Sequence, residues 1–397
     1  MKCFIGIDAG TSGIKVVVFD ALGNVRGTGY HECDVITPRP GWGEQDPREL
    51  WRACSAAVKM AIGSAGAAIE VGGIGFSGQM QGCLLVDRNL EPIGNCIIWL
   101  DQRSSVQVDE ICRLITDDEA LHLTSNHCLN SFWAPKLLWI RENRPEDYER
   151  AYKVMFVKDY LRLCMTGEIA TEVSDASLSF MLDVGARKWS YPVFDRLGID
   201  RSLVPDTLAE SYEVVGRLSR SVAEEWGIEP GVPVVAGAGD QPAGGVGTGI
   251  VRPGVLGSTI GTSGVVFGCT SSPLIDAQNR AIMSMAHSVE NKWCFLGLVL
   301  SAGGAFKWLR DTIFPMQKEA CAKNGTDIYD YMTSLAVQAQ PGCEGLTFLP
   351  YLNGEKTPIS DENARGVLFG LSYRHGINEI ARSVMEGITF AMRDSVE

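Results

Sequence analysis

A four-residue turn that occurs twice is the feature of this sequence that most constrains its fold. Gly-Thr-Ser-Gly stands at 10–13 and again at 261–264. Apolar residues typical of strands follow each copy, and a short apolar run precedes it, so each copy predicts a β-hairpin with the small residues at its turn. The copies lie roughly 250 residues apart, a spacing typical of two similar domains. Backbone N–H groups in such turns bind anions, which indicates a phosphate site in each half of the chain.

The stretch at 234–241 adds a candidate for chemistry. A short apolar strand leads through Gly237 and Gly239, which permit a sharp turn, to Asp240. No basic residue stands beside Asp240 in the sequence, and an ordinary Asp pKa of about 3.9 would leave it ionised at neutral pH. A carboxylate at a strand end can take up a proton, so we predict that Asp240 is the general base of an enzyme that handles phosphate.

Length and composition set limits on the function. The chain has 397 residues, enough for two or three domains, and its formal net charge of −13 argues against nucleic acid or an anionic membrane as a partner. The 12 cysteines are scattered without a C-x-x-C pair, and the N-terminus leads directly into a strand without a signal peptide. No stretch reaches the roughly 18 apolar residues of a membrane helix. We therefore expect a cytoplasmic protein with reduced thiols and no membrane partner.

Two common nucleotide motifs are excluded by the sequence. Residues 73–78 match G-x-G-x-x-G, but a strand pattern follows at 83–87, where a dinucleotide site needs a helix. No GK[ST] occurs in the chain, which excludes a Walker A lysine. Residues 97–99 predict a buried strand, and residues 47–61 predict a helix with Asp46 as its N-cap.

Longer motifs resemble the FGGY carbohydrate kinases of the actin, Hsp70 and sugar-kinase superfamily, most closely the xylulokinase-like branch. They cover nearly the whole chain: GIDAGTSGIK at 6–15, GWGEQDPRELW at 41–51, GFSGQMQG at 75–82, KDYLRLCMTGEIAT at 158–171, the stretch 234–264, PYLNGEKTP at 350–358 and GVLFGLSYRHGINEIARSVME at 366–386. The resemblance implies an α/β fold of two actin/Hsp70-like (ribonuclease H-like) lobes, each with a mixed sheet flanked by helices, and a cleft between them. The expected domains are 1–244, for sugar and phosphate, and 245–397, for nucleotide.

The same resemblance implies an activity, namely ATP-dependent phosphorylation of a sugar hydroxyl with Mg²⁺. The first expectation is conversion of D-xylulose to xylulose 5-phosphate. Three departures from the xylulokinase pattern leave the sugar open: Gln81 replaces a His, Leu100-Asp101-Gln102 replaces Asn-Asp-Gly, and Gln241 replaces an Asn. The alternatives are a kinase for another ketose or a polyol, a non-kinase ATPase of the actin/Hsp70 superfamily, and a catalytically silent sugar-binding regulator. A homodimer is an expectation from the family alone.

The resemblance also assigns site residues. Asp240 would be the base, and Asp8 would hold Mg²⁺ through water. Sugar contacts are expected from Gln79, Met80, Gln81, Asp101, Arg103, Asp240 and Gln241. Phosphate and nucleotide contacts are expected from Gly10, Thr11, Ser12, Lys15, Gly261, Thr262, Ser263, Gly303 and Gly304. Three points stay open: Asp101 and Arg103 bind either the sugar or each other, Lys15 either reaches a phosphate or is simply exposed, and Trp42 either lines the sugar site or packs its own loop.

The last segment, 377–397, has the spacing of an amphipathic helix without a stop signal. In FGGY kinases a further glycine-rich loop that binds adenine and ribose follows such a helix. We therefore expect a chain that lacks the C-terminal part of the second domain, exposes apolar surface and binds ATP weakly.

Overall fold

The computed structural model describes residues 1–66, 69–278, 280–361 and 363–396. The chain divides into two compact units. The first consists of Met1–Pro253, Cys269–Ile275 and Ser284–Cys294, and the second of Gly254–Gly268, Asp276–Met283 and Phe295–Glu397. Both units mix strands with helices, which confirms the predicted α/β class.

The strands up to residue 253 are β1 (Lys2–Ala9), β2 (Gly13–Asp20), β3 (Val25–Glu32), β4 (Glu44–Gln45), β5 (Glu70–Gly78), β6 (Cys83–Val86), β7 (Pro92–Ile97), β8 (Lys153–Met155), β9 (Thr171–Glu172), β10 (Leu182–Asp183), β11 (Lys188–Trp189), β12 (Leu208–Ala209), β13 (Val214–Arg217), β14 (Pro233–Val235) and β15 (Ala238–Gly239). The helices of this part are α1 (Pro47–Ser64), α2 (Ser105–Leu114), α3 (Asp117–Thr124), α4 (Trp133–Asn143), α5 (Pro145–Arg150), α6 (Val157–Thr166), α7 (Val173–Ala176), α8 (Tyr191–Leu197), α9 (Arg220–Trp226) and α10 (Asp240–Gly247).

A seven-stranded sheet forms the centre of the first unit. Its order is β13-β14-β5-β1-β2-β3, and β15 pairs with β5. Strand β1 is antiparallel to β2, as the hairpin prediction requires, and parallel to β5. Alternate residues of a strand face the same side, and β1 accordingly buries its apolar side chains Cys3, Ile5, Ile7 and Ala9 in the core.

Helix α1 covers one face of this sheet and confirms the predicted start. Asp46 caps it by accepting a hydrogen bond from the Arg48 N–H at 2.8 Å, and Pro47 takes the first helical position. The helix lies so close to β3 that a Cβ on Gly29 would come within 2.0 Å of the Ala57 carbonyl oxygen. Only glycine fits at that crossing.

A smaller four-stranded sheet, of order β4-β7-β6-β8, also belongs to the first unit. Strand β7 ends at Ile97, and Trp99 is 41 % exposed. The prediction of a buried strand through residue 99 is therefore wrong at its end, because the chain leaves the sheet before the tryptophan.

The remaining strands are β16 (Leu256–Ile260), β17 (Gly264–Thr270), β18 (Ile282–Ala286), β19 (Trp293–Val299), β20 (Thr347–Leu349) and β21 (Val367–Phe369). The remaining helices are α11 (Gly303–Ile313), α12 (Pro315–Asn324), α13 (Ile328–Ala336) and α14 (Ile377–Asp394). Strands β16 and β17 form the second predicted hairpin, with Ile260 opposite Gly264. The core of the second unit is formed by helices α11, α13 and α14 around Leu309, Met332, Phe348 and Val384.

Among the described residues, none of the helices combines the length and the apolarity that crossing a membrane requires.

Candidate active site

The carboxyl ends of three parallel strands lie at one edge of the large sheet. In the pairing of β1 with β5, Asp8 stands opposite Ser77, and in the pairing of β15 with β5, Gly239 stands opposite Gly78. Asp240 follows directly as the first residue of α10. Ligands of α/β sheets bind at the carboxyl ends of strands, so this register places both predicted catalytic carboxylates at the expected edge.

Asp240 is better suited to accept a proton than its residue type alone indicates. Burial raises the pKa of its carboxyl to about 6, and the charge of nearby Asp8 acts in the same direction. Hydrogen bonds from the backbone and side chain of Gln241 oppose that rise by stabilising the carboxylate. The assumption of an ordinary pKa is therefore wrong, because the sequence did not show that Asp240 is partly buried and lies near Asp8.

Asp8 is the second carboxylate of the site. It is exposed, and its Oδ1 accepts a hydrogen bond from the Ser77 hydroxyl at 2.8 Å. Within the described residues neither Asp8 nor Asp240 forms a salt bridge, although exposed Lys15 lies opposite Asp8 in the register of β1 and β2. Two neighbouring carboxylates without a basic partner provide the hard oxygen donors that a divalent cation requires.

The first Gly-Thr-Ser-Gly turn has free donors in its backbone. The Gly10 N–H donates to the Gly13 carbonyl at 3.0 Å and closes the turn. No hydrogen bond among the described residues uses the N–H groups of Thr11 or Ser12, so both can donate to an anion. The Thr11 hydroxyl, by contrast, donates to Gln79 Oε1 at 3.2 Å and accepts from Trp99 Nε1 at 2.9 Å.

The Gln-Met-Gln turn, residues 79–81, is buried and held by the protein. The Gln79 amide donates to Gln45 Oε1 at 2.7 Å, in addition to its contact with Thr11. Met80 packs directly over Gly239. Gln81 has the positive φ of 68°, which L-residues other than glycine rarely adopt. The structure thus brings this turn beside the residue that precedes Asp240.

Asp101 and Arg103 are partners of each other. The Arg103 guanidinium donates to Asp101 at 2.7 Å and pairs with Glu44 at 2.7 Å, and the side chains of Asp101 and Arg103 have 0 % exposure. The guanidinium also stacks on the Trp42 ring at 3.8 Å. The structure therefore shows the mutual bridge between Asp101 and Arg103 and the packing of Trp42 against the guanidinium. Contact of these residues with the sugar stays a prediction.

The second Gly-Thr-Ser-Gly turn and the start of α11 are joined through the backbone in the second unit. The N–H groups of Gly303 and Gly304 donate to the carbonyls of Gly261 and Thr262, each at 2.9 Å. A Cβ on Gly303 would come within 2.3 Å of the Gly261 oxygen. These two glycines therefore give shape to the site, and their N–H groups are not available to a phosphate.

A pocket of about 390 Å³ opens at this junction. It is lined by Ile260, Gly261, Thr262, Gly303, Gly304, Phe306, Lys307 and Tyr329. The rings of Phe306 and Tyr329 stack with centroids 5.6 Å apart and form an aromatic wall. This volume is ordinary for a small-molecule site. The sequence indicated the glycines and Thr262 but not Phe306, Lys307 and Tyr329, because aromatic residues in helices resemble core residues and a single lysine carries no signal of a site.

Several polar residues around the first unit's site were not predicted either. Lys136 lies fully buried in α4 and donates to three backbone carbonyls, including that of Gln81 at 2.8 Å. The only signal in the sequence was a lysine inside the apolar run of residues 132–140. Gln45 and Ser77 lie within motifs of the family resemblance, and Trp99 was predicted only as the end of a strand. No contact was predicted for any of the three, since each reaches the site through a contact between distant segments.

The chain is similar to known proteins along nearly its whole length. The model of the FGGY family of carbohydrate kinases, N-terminal domain, matches residues 3–247, and that of the C-terminal domain matches 256–397. A xylulose kinase of Escherichia coli (strain K12) is 37 % identical over 396 residues, which cover 99 % of this chain and 78 % of the relative.

Two solved structures from Lactobacillus acidophilus resemble the chain equally. A ligand-bound xylulose kinase has a TM-score of 0.91 at 25 % identity, with 100 % of this chain and 78 % of the other covered. A gluconate kinase has a TM-score of 0.91 at 25 % identity, with 99 % and 77 % covered. These likenesses confirm the actin/Hsp70-like (ribonuclease H-like) fold. Because both family models match the chain and a xylulose kinase is 37 % identical to it over nearly its whole length, the chain belongs to the FGGY family of carbohydrate kinases and is a sugar kinase.

Proposed function

We propose that the protein transfers the γ-phosphoryl group of ATP to a hydroxyl group of D-xylulose and forms xylulose 5-phosphate. The observation that carries the proposal is the placement of Asp240, with its raised pKa, at the same sheet edge as Asp8 and the turn at 10–13. The choice of sugar is supported by the relative from Escherichia coli, which is a xylulose kinase.

Asp240 would act as the general base. Its carboxylate takes the proton of the sugar hydroxyl as that oxygen bonds to the γ-phosphorus, while the bond from this phosphorus to the oxygen bridging to the β-phosphorus breaks and ADP leaves. A pKa of about 6 keeps most of the Asp240 carboxyls ionised at neutral pH and yet makes each a stronger base than an ordinary Asp. The Gln-Met-Gln turn and Gln241, which lie next to this carboxylate, would contact the sugar.

Phosphate groups would be held by backbone donors. The free N–H groups of Thr11 and Ser12 supply them in the first unit, and the turn at 261–264 supplies them in the second. We assign the nucleotide to the 390 Å³ pocket of the second unit. Residues 1–244 would therefore serve sugar and phosphate, and residues 245–397 the nucleotide.

The residues present also suit Mg²⁺. Within the described residues no group of three or more His, Cys, Asp or Glu side chains could hold a metal alone. Mg²⁺ is commonly bound through one or two carboxylates together with substrate phosphates and water. Asp8 could provide the carboxylate, through a water molecule. When bound, Mg²⁺ would neutralise negative charge on the phosphates.

The direct test is ADP release from the purified protein across a panel of ketoses, polyols and one sugar acid. Gluconate belongs in the panel because a gluconate kinase matches the fold as well as a xylulose kinase does. We expect the highest kcat/KM with D-xylulose. A higher value with another sugar would correct the substrate, and ADP release that needs no sugar would favour the ATPase alternative.

Two further properties belong to the same proposal. Buried thiols such as Cys3, Cys54 and Cys96 are free, which supports a reducing, cytoplasmic location. A homodimer is a prediction from the family, and light scattering of the purified protein would check it.

A further inference from the structure

A cluster of five buried charged side chains lies in the first unit. Lys158 of α6 donates to Asp175 at 2.9 Å and pairs with Glu172 at 3.1 Å and Asp159 at 3.2 Å. Arg162 pairs with Asp159 at 3.0 Å. All five side chains have 0 % exposure.

The cluster is costly to bury. It contains three acids and two bases, and burial raises the pKa of Asp175 to about 7. Buried ion pairs are weak evidence for stability, because desolvation offsets much of their attraction. Its contacts therefore point to a role other than stability. They reach two segments of the proposed site, namely the backbone before Asp240 and the Gln-Met-Gln turn.

The first contact reaches the backbone that leads into Asp240. The Ser174 hydroxyl donates to Glu172 Oε1 at 2.9 Å and accepts from the Gly239 N–H at 3.1 Å. Glu172 also accepts from the Ser174 N–H at 2.6 Å, so the serine is held from two sides. Gly239 is the residue before Asp240, and its N–H is thus fixed by the cluster.

The second contact reaches the Gln-Met-Gln turn. Asp175 Oδ1 accepts from the Gln81 N–H at 3.2 Å, while its Oδ2 accepts from Lys158. Lys136 holds the Gln81 carbonyl from the other side at 2.8 Å. Both backbone groups of a residue with positive φ are therefore bonded to buried charged side chains.

We propose that Ser174 and Asp175 are positioning residues of the kinase, with Ser174 fixing the backbone of the general base and Asp175 fixing the turn that faces the sugar. The proposal rests on the function proposed above. The two residues are adjacent in α7 and anchored to one cluster, so they set the base and the sugar turn at a fixed separation. Phosphoryl transfer depends on such placement, since misplacement by about 1 Å can cost about 10²-fold in rate.

The test compares three variants, S174A, D175N and the control S179A. Ser179 is equally buried, donates to the Ala176 carbonyl at 2.6 Å and accepts from the Met181 N–H at 2.9 Å, but bonds to neither site segment. D175N leaves two acids and two bases in the cluster. Its amide oxygen can accept from the Gln81 N–H only if its NH₂ group faces the Lys158 ammonium, and both of those groups are donors. We expect S174A to lower kcat at least tenfold with a nearly unchanged sugar KM. D175N should raise the sugar KM at least fivefold with a smaller effect on kcat, and S179A should change neither.

Amide hydrogen exchange followed by mass spectrometry supplies a second readout that does not need activity. S174A should speed exchange at 239–241 and leave 79–82 unchanged, and D175N should do the reverse. The proposal would be overturned if all three variants showed the same change in kcat and in sugar KM. It would also be overturned if exchange rose equally in both segments in S174A and in D175N. An unsubstituted protein without sugar-dependent ADP release would count against the proposed function instead, and the exchange pattern would still decide whether the two residues hold their segments.

Discussion

The side chain of Met80 lies against the α-carbon of Gly239, so closely that a Cβ at residue 239 would come within 2.6 Å of Met80 Cγ. This contact joins the turn that we assign to the sugar with the residue before the general base. A side chain therefore cannot be added at residue 239 unless Met80 moves.

The first prediction follows from that contact. Gly239→Ala should force Met80 aside and lower kcat/KM for the best sugar by about 10- to 100-fold, because small displacements at the reacting centre are costly. Steady-state ADP release measures the effect. Gly244→Ala in α10 is the matched control, since a Cβ there meets nothing within 4 Å. Equal activity of the two variants would show that Met80 adapts without affecting the site.

Asp240→Asn should remove the base and lower kcat by about 10²- to 10⁴-fold, the usual size of a general-base contribution. Sugar binding should persist, because Asn keeps the shape of the side chain and one of its two acceptor oxygens. Single-turnover kinetics together with calorimetry of sugar binding separates the two effects. Near-normal turnover would mean that another group takes the proton.

The pH dependence of kcat/KM should show an acid limb near pH 6. Burial raises the pKa of Asp240 to about 6, so its carboxyl is protonated, and inactive as a base, below that value. Activity should rise as pH increases through 6 and then level off. An acid limb near pH 4, where an ordinary Asp titrates, would contradict the assignment.

Stability should have the opposite dependence on pH. A carboxyl whose pKa is higher in the folded state binds its proton more tightly there, so its contribution to stability falls as pH rises from about 4 to 6. Asp240→Asn should therefore raise the melting temperature at pH 8 more than at pH 4.5. Thermal unfolding at both values checks this, and an equal shift at both would show that the buried charge costs little.

Gln81→His should move the sugar preference toward D-xylulose, since the xylulokinase-like pattern carries His at this turn. Asp175 and Lys136 hold the backbone of residue 81, so the exchange of the side chain should leave the turn in place. The ratio of kcat/KM values for several ketoses, before and after the substitution, measures the shift. An unchanged order of preference would place this side chain outside the sugar site.

The sequence indicated the features that depend on local pattern. The two glycine turns, the Asp46 cap and the strand that leads to Asp240 follow from residue types at fixed spacing, and the structure confirms each of them. Helix α10 was not foreseen, because its three glycines disfavour helix and tertiary packing overrides that preference.

The rest of the site comes from contacts between distant segments. Trp99 reaches Thr11 across 88 positions, and Gln81 reaches Asp175 across 94. The raised pKa of Asp240 likewise reflects burial and a charge from the first strand. Composition and periodicity carry no information about such pairs, which is why the sequence named Asp240 but not the residues that hold it.

The backbone hydrogen bonds between the start of α11 and the second Gly-Thr-Ser-Gly turn have a consequence for protein engineering. Much of the wall of the 390 Å³ pocket is main chain, locked by the hydrogen bonds from Gly303 and Gly304. Substitutions elsewhere in the pocket can therefore change its chemistry while its outline stays the same. Phe306, Lys307 and Tyr329 are the natural positions at which to alter the choice of phosphoryl donor, because their side chains contribute to the lining without closing the turn.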